Sequence, residues 1–145
     1  MTEAEWKERQ KLLEQQPDVL RDEMLDDLSG KASVRKLRLF ACACARRRWH
    51  LLHDMRSRTA VEIAETHADG SLTTGDLSRA RRKARAAFDA TDGDSKSLAS
   101  AALWTVERLV SKNAVSVAGQ CANDLVEVAG QEWDSLAREQ CALIA

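Results

Sequence analysis

Apolar residues recur at helical spacing along almost the whole chain, and strand-like alternation of apolar and polar positions is absent. Thr2 followed three residues later by Glu5 is a capping-box pattern, which predicts a helix from the N-terminus that carries Trp6, Leu12 and Leu13 inward. Pro17 ends it and suits the first position of a second helix, through Val19, Leu20, Met24, Leu25 and Leu28, closed by Gly30. Ser33 is placed to cap a third helix from Val34 to Leu52. With Val34 at 0° and about 100° per residue, Val34, Leu37, Phe40, Ala41, Cys44, Ala45, Leu51 and Leu52 share one arc. Arg35, Arg38 and Arg46 fall on the solvent side together with Cys42 and Trp49. Arg48 breaks the pattern, at about 320° in the middle of the apolar arc, so the helix ends before it, or its charge is met inside, or its stem packs while its head reaches out.

Ser57 is the predicted cap of a fourth helix through Val61, Ile63, Ala64 and Ala68, stopped by Gly70. A fifth, from Thr74 to Ala90, places Leu77, Ala80, Ala84, Ala87 and Phe88 on one side and Arg79, Arg81, Arg82, Lys83 and Arg85 around the rest. From Ser95 onward the apolar positions predict two long helices, with the break between Ser111 and Gly119 or at Gly130. The resulting expectation is an all-α, single-domain helical bundle (1–145) of about five to seven helices, with Val34–Leu52 at its centre.

Composition agrees: one Pro, six Gly and no Tyr accompany a chain rich in Ala, Leu, Arg and Glu, and 145 residues suffice for one compact core. The net charge of −1 conceals an asymmetry. Residues 1–30 carry nine acids and four bases, and residues 31–60 carry nine bases and one acid. The basic block therefore meets either an external polyanion or the acids of its own chain. Four cysteines without a signal-peptide pattern, and no apolar run long enough for a bilayer, point to a cytoplasmic protein with reduced thiols and no membrane partner.

Candidate chemistry is sparse. Cys42, Cys44, His50 and His53 resemble a zinc ligand set, but on one helix the two thiols point about 160° apart and Cys42 to His53 spans about 16 Å. Cys42 beside Arg38 and Arg46 is a candidate low-pKa thiol, with no Cys-His-Asn arrangement to support it. Arg35, Arg38, Arg46, Arg47, Arg81, Arg82 and Arg85 are candidate phosphate contacts for a nucleic acid, although the second cluster lacks stacking aromatics and no helix-turn-helix spacing is present. Trp6, Trp49, Trp104 and Trp133 each read as core or groove anchors, with Trp49 at the edge of a second packing surface. No catalytic set and no cofactor motif is found.

The segments Met1–Trp6 and Gly30–Ser33, with Arg-Lys-Leu-Arg-Leu-Phe-Ala-Cys-Ala-Cys at 35–44, resemble a large uncharacterised family of planctomycete-type bacterial proteins. Members often begin Thr-Glu-Ala-Glu-Trp and carry Arg-Lys-Leu-Arg-Leu-Phe-Ala-Cys-Ala-Cys-Cys-Arg-Arg-Ile-Trp. This chain has Ala45 in place of the third Cys and Arg48 in place of Ile. Where the family continues through an Ala-x-Leu-Leu-Arg-Asp-Ile-Phe-Gly-Asn-Pro segment, this sequence ends in Cys-Ala-Leu-Ile-Ala, so it resembles a shortened member. The resemblance implies no activity.

The expected function is a non-enzymatic helical module that binds a protein partner or itself through an apolar groove left open at the C-terminus, with Trp49, Arg48, Arg46, Arg38, Arg35, Leu143 and Ile144 as the candidate surface. Nucleic-acid binding through the arginine-rich faces is the alternative, and a thiol or zinc site around Cys42 and Cys44 a further one.

Overall fold

The computed structural model describes residues 1–109, 112–127 and 133–145, without the side chains of 126, 127, 133 and 134. Eight α-helices are described: α1 (Glu3–Gln15), α2 (Pro17–Asp27), α3 (Val34–Arg47), α4 (Met55–Ala68), α5 (Thr74–Asp89), α6 (Asp94–Thr105), α7 (Ala114–Glu127) and α8 (Trp133–Ile144), with a 3₁₀ turn at Trp49–Leu51. The all-α class holds, and the count exceeds the predicted five to seven because the stretch after Ser95 divides into three helices rather than two. The first break comes after Thr105, earlier than predicted, and Gly119 lies inside α7. The second candidate break, Gly130, and the predicted inward residue Val128 lie outside the described residues, as does the side chain of Trp133.

α3 is central, packed by α4, α6, α7 and α8; α5 lies on α4 and α6, α8 on α2, and α1 chiefly on α2. This position explains a departure from the helical wheel. Leu37, Phe40, Ala41, Cys44 and Ala45 are buried as predicted, but Arg38 and Cys42 are buried too, since a helix covered on several sides has a wider inner arc than a one-sided amphipathic helix. Neither lies on the solvent side.

The helix boundaries correct the sequence reading at two further points. α3 ends at Arg47, not Leu52; Arg48 leaves helical geometry at φ −114° and ψ 21°, so the wheel angle that makes it anomalous does not apply. α4 starts earlier than predicted, with Asp54 as its cap accepting from the Arg56 amide at 2.8 Å, and Ser57 is buried inside the first turn. The capping box at Thr2 and Glu5, the Ser33 cap and Pro17 at the start of α2 form as the sequence predicts.

α1 buries no residue, and Trp6 is 53% exposed, contrary to its predicted inward position. On α2, Val19 is exposed while Arg21 is buried. Arg21 lies about 100° from Leu20, between it and Leu25, so the arc that faces α7 and α8 contains the arginine and excludes the valine.

Candidate interaction surfaces

The apolar C-terminal residues do not fray into solvent. α8 buries Leu136, Ala137, Gln140 and Cys141, and its last turn brings Leu143 and Ile144 to a groove shared with α2 and α3. This groove encloses about 440 Å³, and its apolar wall includes Leu28, Leu37, Leu39 and Phe40. Its charged lining residues are Lys31 and Lys36, both exposed.

The basic block of residues 31–60 can be followed one cation at a time. Arg46 makes a two-pronged contact with Glu65 at 2.9 and 2.7 Å, and Arg35 approaches Asp69 at 3.4 Å while donating to the Ala68 carbonyl at 2.7 Å. Arg47 faces Glu139 at 3.8 Å and Arg56 faces Asp54 at 2.8 Å. Arg38 and Arg58 donate to main-chain carbonyls, and Arg48 is engaged as well. Lys31 and Lys36 differ: neither ammonium makes a hydrogen bond or ion pair among the described residues. Among the described ion pairs, four of the nine cations of the block thus face an acid, Asp54, Glu65, Asp69 or Glu139, and none joins the block to the acidic segment 1–30. Of the cations that face no acid, Lys31 and Lys36 stand on the lip of the groove.

The predicted surface residues therefore occupy separate places. Leu143 and Ile144 line the groove. Trp49 is half-buried, with the Arg46 guanidinium 4.0 Å and the Arg58 guanidinium 5.2 Å from its ring centre, so it anchors the turn after α3 against α4. Half-buried Arg48 follows at the same turn. Arg35 and Arg38 line a different cleft, of about 750 Å³, opposite Arg81 and beside Arg108. The two arginine clusters singled out from the sequence, on α3 and α5, are brought together there in part. Arg46 and Arg47 are directed elsewhere, and Arg82, Lys83 and Arg85 are exposed along the outer face of α5.

The cysteines do not form an exposed thiol site. All four are buried, and Cys42 is only 1% exposed, contrary to its predicted partial exposure. Burial pushes both Cys42 and Cys44 up to about 12, and the nearby Arg38 and Arg46 only partly offset it at Cys42. Burial also raises Cys121 and Cys141. Among the described residues no group of three or more His, Cys, Asp or Glu side chains is placed to hold a metal ion, and no helix is long and apolar enough to cross a membrane.

A polar cluster that the sequence reading missed lies between α2, α7 and α8. Arg21, 1% exposed, contacts Gln140 at 2.9 Å, Asp22 at 2.6 Å and Asn123. The signal was available: an arginine inside the apolar arc of α2, the same anomaly that the sequence displays at Arg48. No family model, curated protein or solved structure matches the chain.

Proposed function

We propose that this chain is a non-enzymatic cytoplasmic interaction module that receives an amphipathic helix of a partner protein in the α2–α3–α8 groove. The observation that carries this reading is the apolar groove whose charged lining consists of two cations with no intramolecular acid. An apolar wall selects the nonpolar stripe of a helix, and Lys31 and Lys36 favour acidic residues flanking that stripe. The first turn of α3 carries no acid, so the positive end of its dipole adds to the same field. Of the nearby acids on α2, Asp27 is held by Arg9 at 2.6 Å and Asp26 lines a separate cleft toward α7. At Met1–Trp6 and residues 30–44 the sequence resembles a planctomycete-type bacterial family.

A photo-crosslinking amino acid at position 39, in the cells that express the protein, tests the reading against the same group at position 83 on α5. A discrete adduct with another protein at position 39 alone, reduced by Ile144→Glu and by Lys31→Glu with Lys36→Glu, is the expected result. Equal labelling from both positions refutes the groove, and an adduct between two copies replaces the partner with self-association.

Nucleic-acid binding has weaker support. Of its seven candidate arginines, Arg35, Arg46, Arg47 and Arg81 face acids of the same chain and Arg38 is buried. Only Arg82 and Arg85 stay exposed without an intramolecular acid among the described residues.

A further inference from the structure

The cleft between α3, α5 and the segment after α6 gathers basic side chains from four parts of the chain. Arg35 and Arg38 come from α3, His67 from α4, Arg81 from α5 and Arg108 from beyond α6. Leu77 and Val106 supply apolar wall, and no carboxylate residue lines the cleft among the described residues. It shares no lining residue with the α2–α3–α8 groove.

Arg38 shows what the cleft lacks. It is 4% exposed, and its Nη1 donates to the Thr105 carbonyl at 2.6 Å and the Glu107 carbonyl at 3.1 Å. Its Nε and Nη2 have no acceptor among the described residues. Arg21, buried to a similar degree, has the Asp22 carboxylate at 2.6 Å. Of the acids beside the cleft, Glu107 is paired with Arg81 at 2.8 Å and Asp69 with Arg35 at 3.4 Å. The hydrogen bonds of this buried guanidinium go only to neutral carbonyls, and the Glu107 carboxylate acts on it without a direct contact, so its charge is incompletely compensated and an anion entering the cleft completes it. The local field agrees: burial pushes Arg38 down, and burial followed by the charge of Arg38 pushes His67 down.

We propose that this cleft binds a small organic phosphate, its oxyanion held by Arg38 and Arg108 together with Arg35, whose exposed pairing with Asp69 at 3.4 Å is weak enough to yield to a phosphate, and its nonpolar body against Leu77 and Val106. Phosphate suits the site better than a carboxylate, because a monoester carries nearly two negative charges and three acceptor oxygens for several converging guanidinium groups. A concave cleft of about 750 Å³ with apolar wall matches a compact ligand rather than an extended polymer.

Calorimetric titration of the full chain with phenyl phosphate, with phenol as the uncharged control and a short single-stranded DNA as the polyanion, tests this. One phenyl phosphate per chain, no phenol binding, and an affinity about tenfold or more weaker in Arg35→Ala with Arg108→Ala are expected. Both arginines are exposed, so that variant should stay folded, with a thermal midpoint only a few degrees lower from the lost Arg35 contacts to Ala68 and Asp69. In NMR titrations, saturation with phenyl phosphate should raise the pKa of His67. Equal binding by the double variant, an unmoved His67, binding of phenol, binding of DNA without phenyl phosphate, or no binding at all each overturns the proposal.

Discussion

Arg21 and Gln140 stand 119 residues apart in the chain, yet Arg21 Nη1 donates to Gln140 Oε1 at 2.9 Å with both side chains almost fully buried. Gln140 Nε2 in turn donates to the Ala122 carbonyl at 3.0 Å, so one arginine and one amide join α2, α7 and α8. Two of these helices, α2 and α8, also wall the groove.

Removing one member of this cluster leaves the others buried without partners. Arg21→Met should destabilise the fold by about 3 kcal/mol, because the acceptors on Gln140 and Asn123 lose their donor. Adding Gln140→Leu should recover part of that loss, giving a coupling of about 1 kcal/mol or more between the two sites. Urea denaturation of the two single variants and the double variant measures it. Strictly additive changes would show that the contact carries no cooperative weight.

Two serines that look alike as helix caps have opposite roles. Ser33 accepts from the Lys36 amide at 3.2 Å at the start of α3, so Ser33→Ala should cost about 1 kcal/mol. The Ser57 hydroxyl is buried inside α4 without a hydrogen-bond partner, so Ser57→Ala should raise stability by about 0.5–1 kcal/mol. Opposite shifts of the urea midpoint are the expected outcome, and destabilisation by both changes would mean that Ser57 is bonded in solution.

These serines also show how far the sequence could be read. Local signals with a geometric mechanism, such as the Thr2–Glu5 box, Pro17 and the positive φ of Gly30 and Gly70, located helix ends correctly. The α4 cap was ambiguous because Asp54 and Ser57 are both competent acceptors, and tertiary burial decided between them. Arg38 and Cys42 were misplaced because periodicity locates one buried face and cannot tell how many neighbours a helix has. The convergence of Arg38, Arg81 and Arg108 on one cleft depends on helix packing that no local pattern encodes.

Buried thiols with raised pKa values predict a chemically quiet native state. Cys42 and Cys44, pushed up to about 12 by burial, hold almost no thiolate near neutral pH. An aromatic disulfide reagent at pH 8 should label the native protein about a thousandfold more slowly than free cysteine and all four thiols promptly after unfolding. A single thiol that reacts at the free rate in the native protein would restore the thiol-chemistry reading for that residue.

Acid sensitivity should originate at helix N-termini. The Thr73 amide and hydroxyl donate to Asp76 at 3.0 and 2.9 Å and hold its carboxyl below the usual range; the Arg56 side chain does so for Asp54, and the Thr2 amide for Glu5. Each carboxyl is more acidic folded than unfolded, so its contribution is complete above the unfolded pKa of about 4 and is lost as pH falls through the lower folded value. The urea midpoint should therefore drop below about pH 4, and the slope of that drop should be shallower in a Glu5→Gln, Asp54→Asn, Asp76→Asn variant. An unchanged slope in the triple variant would place the acid-sensitive carboxylates elsewhere.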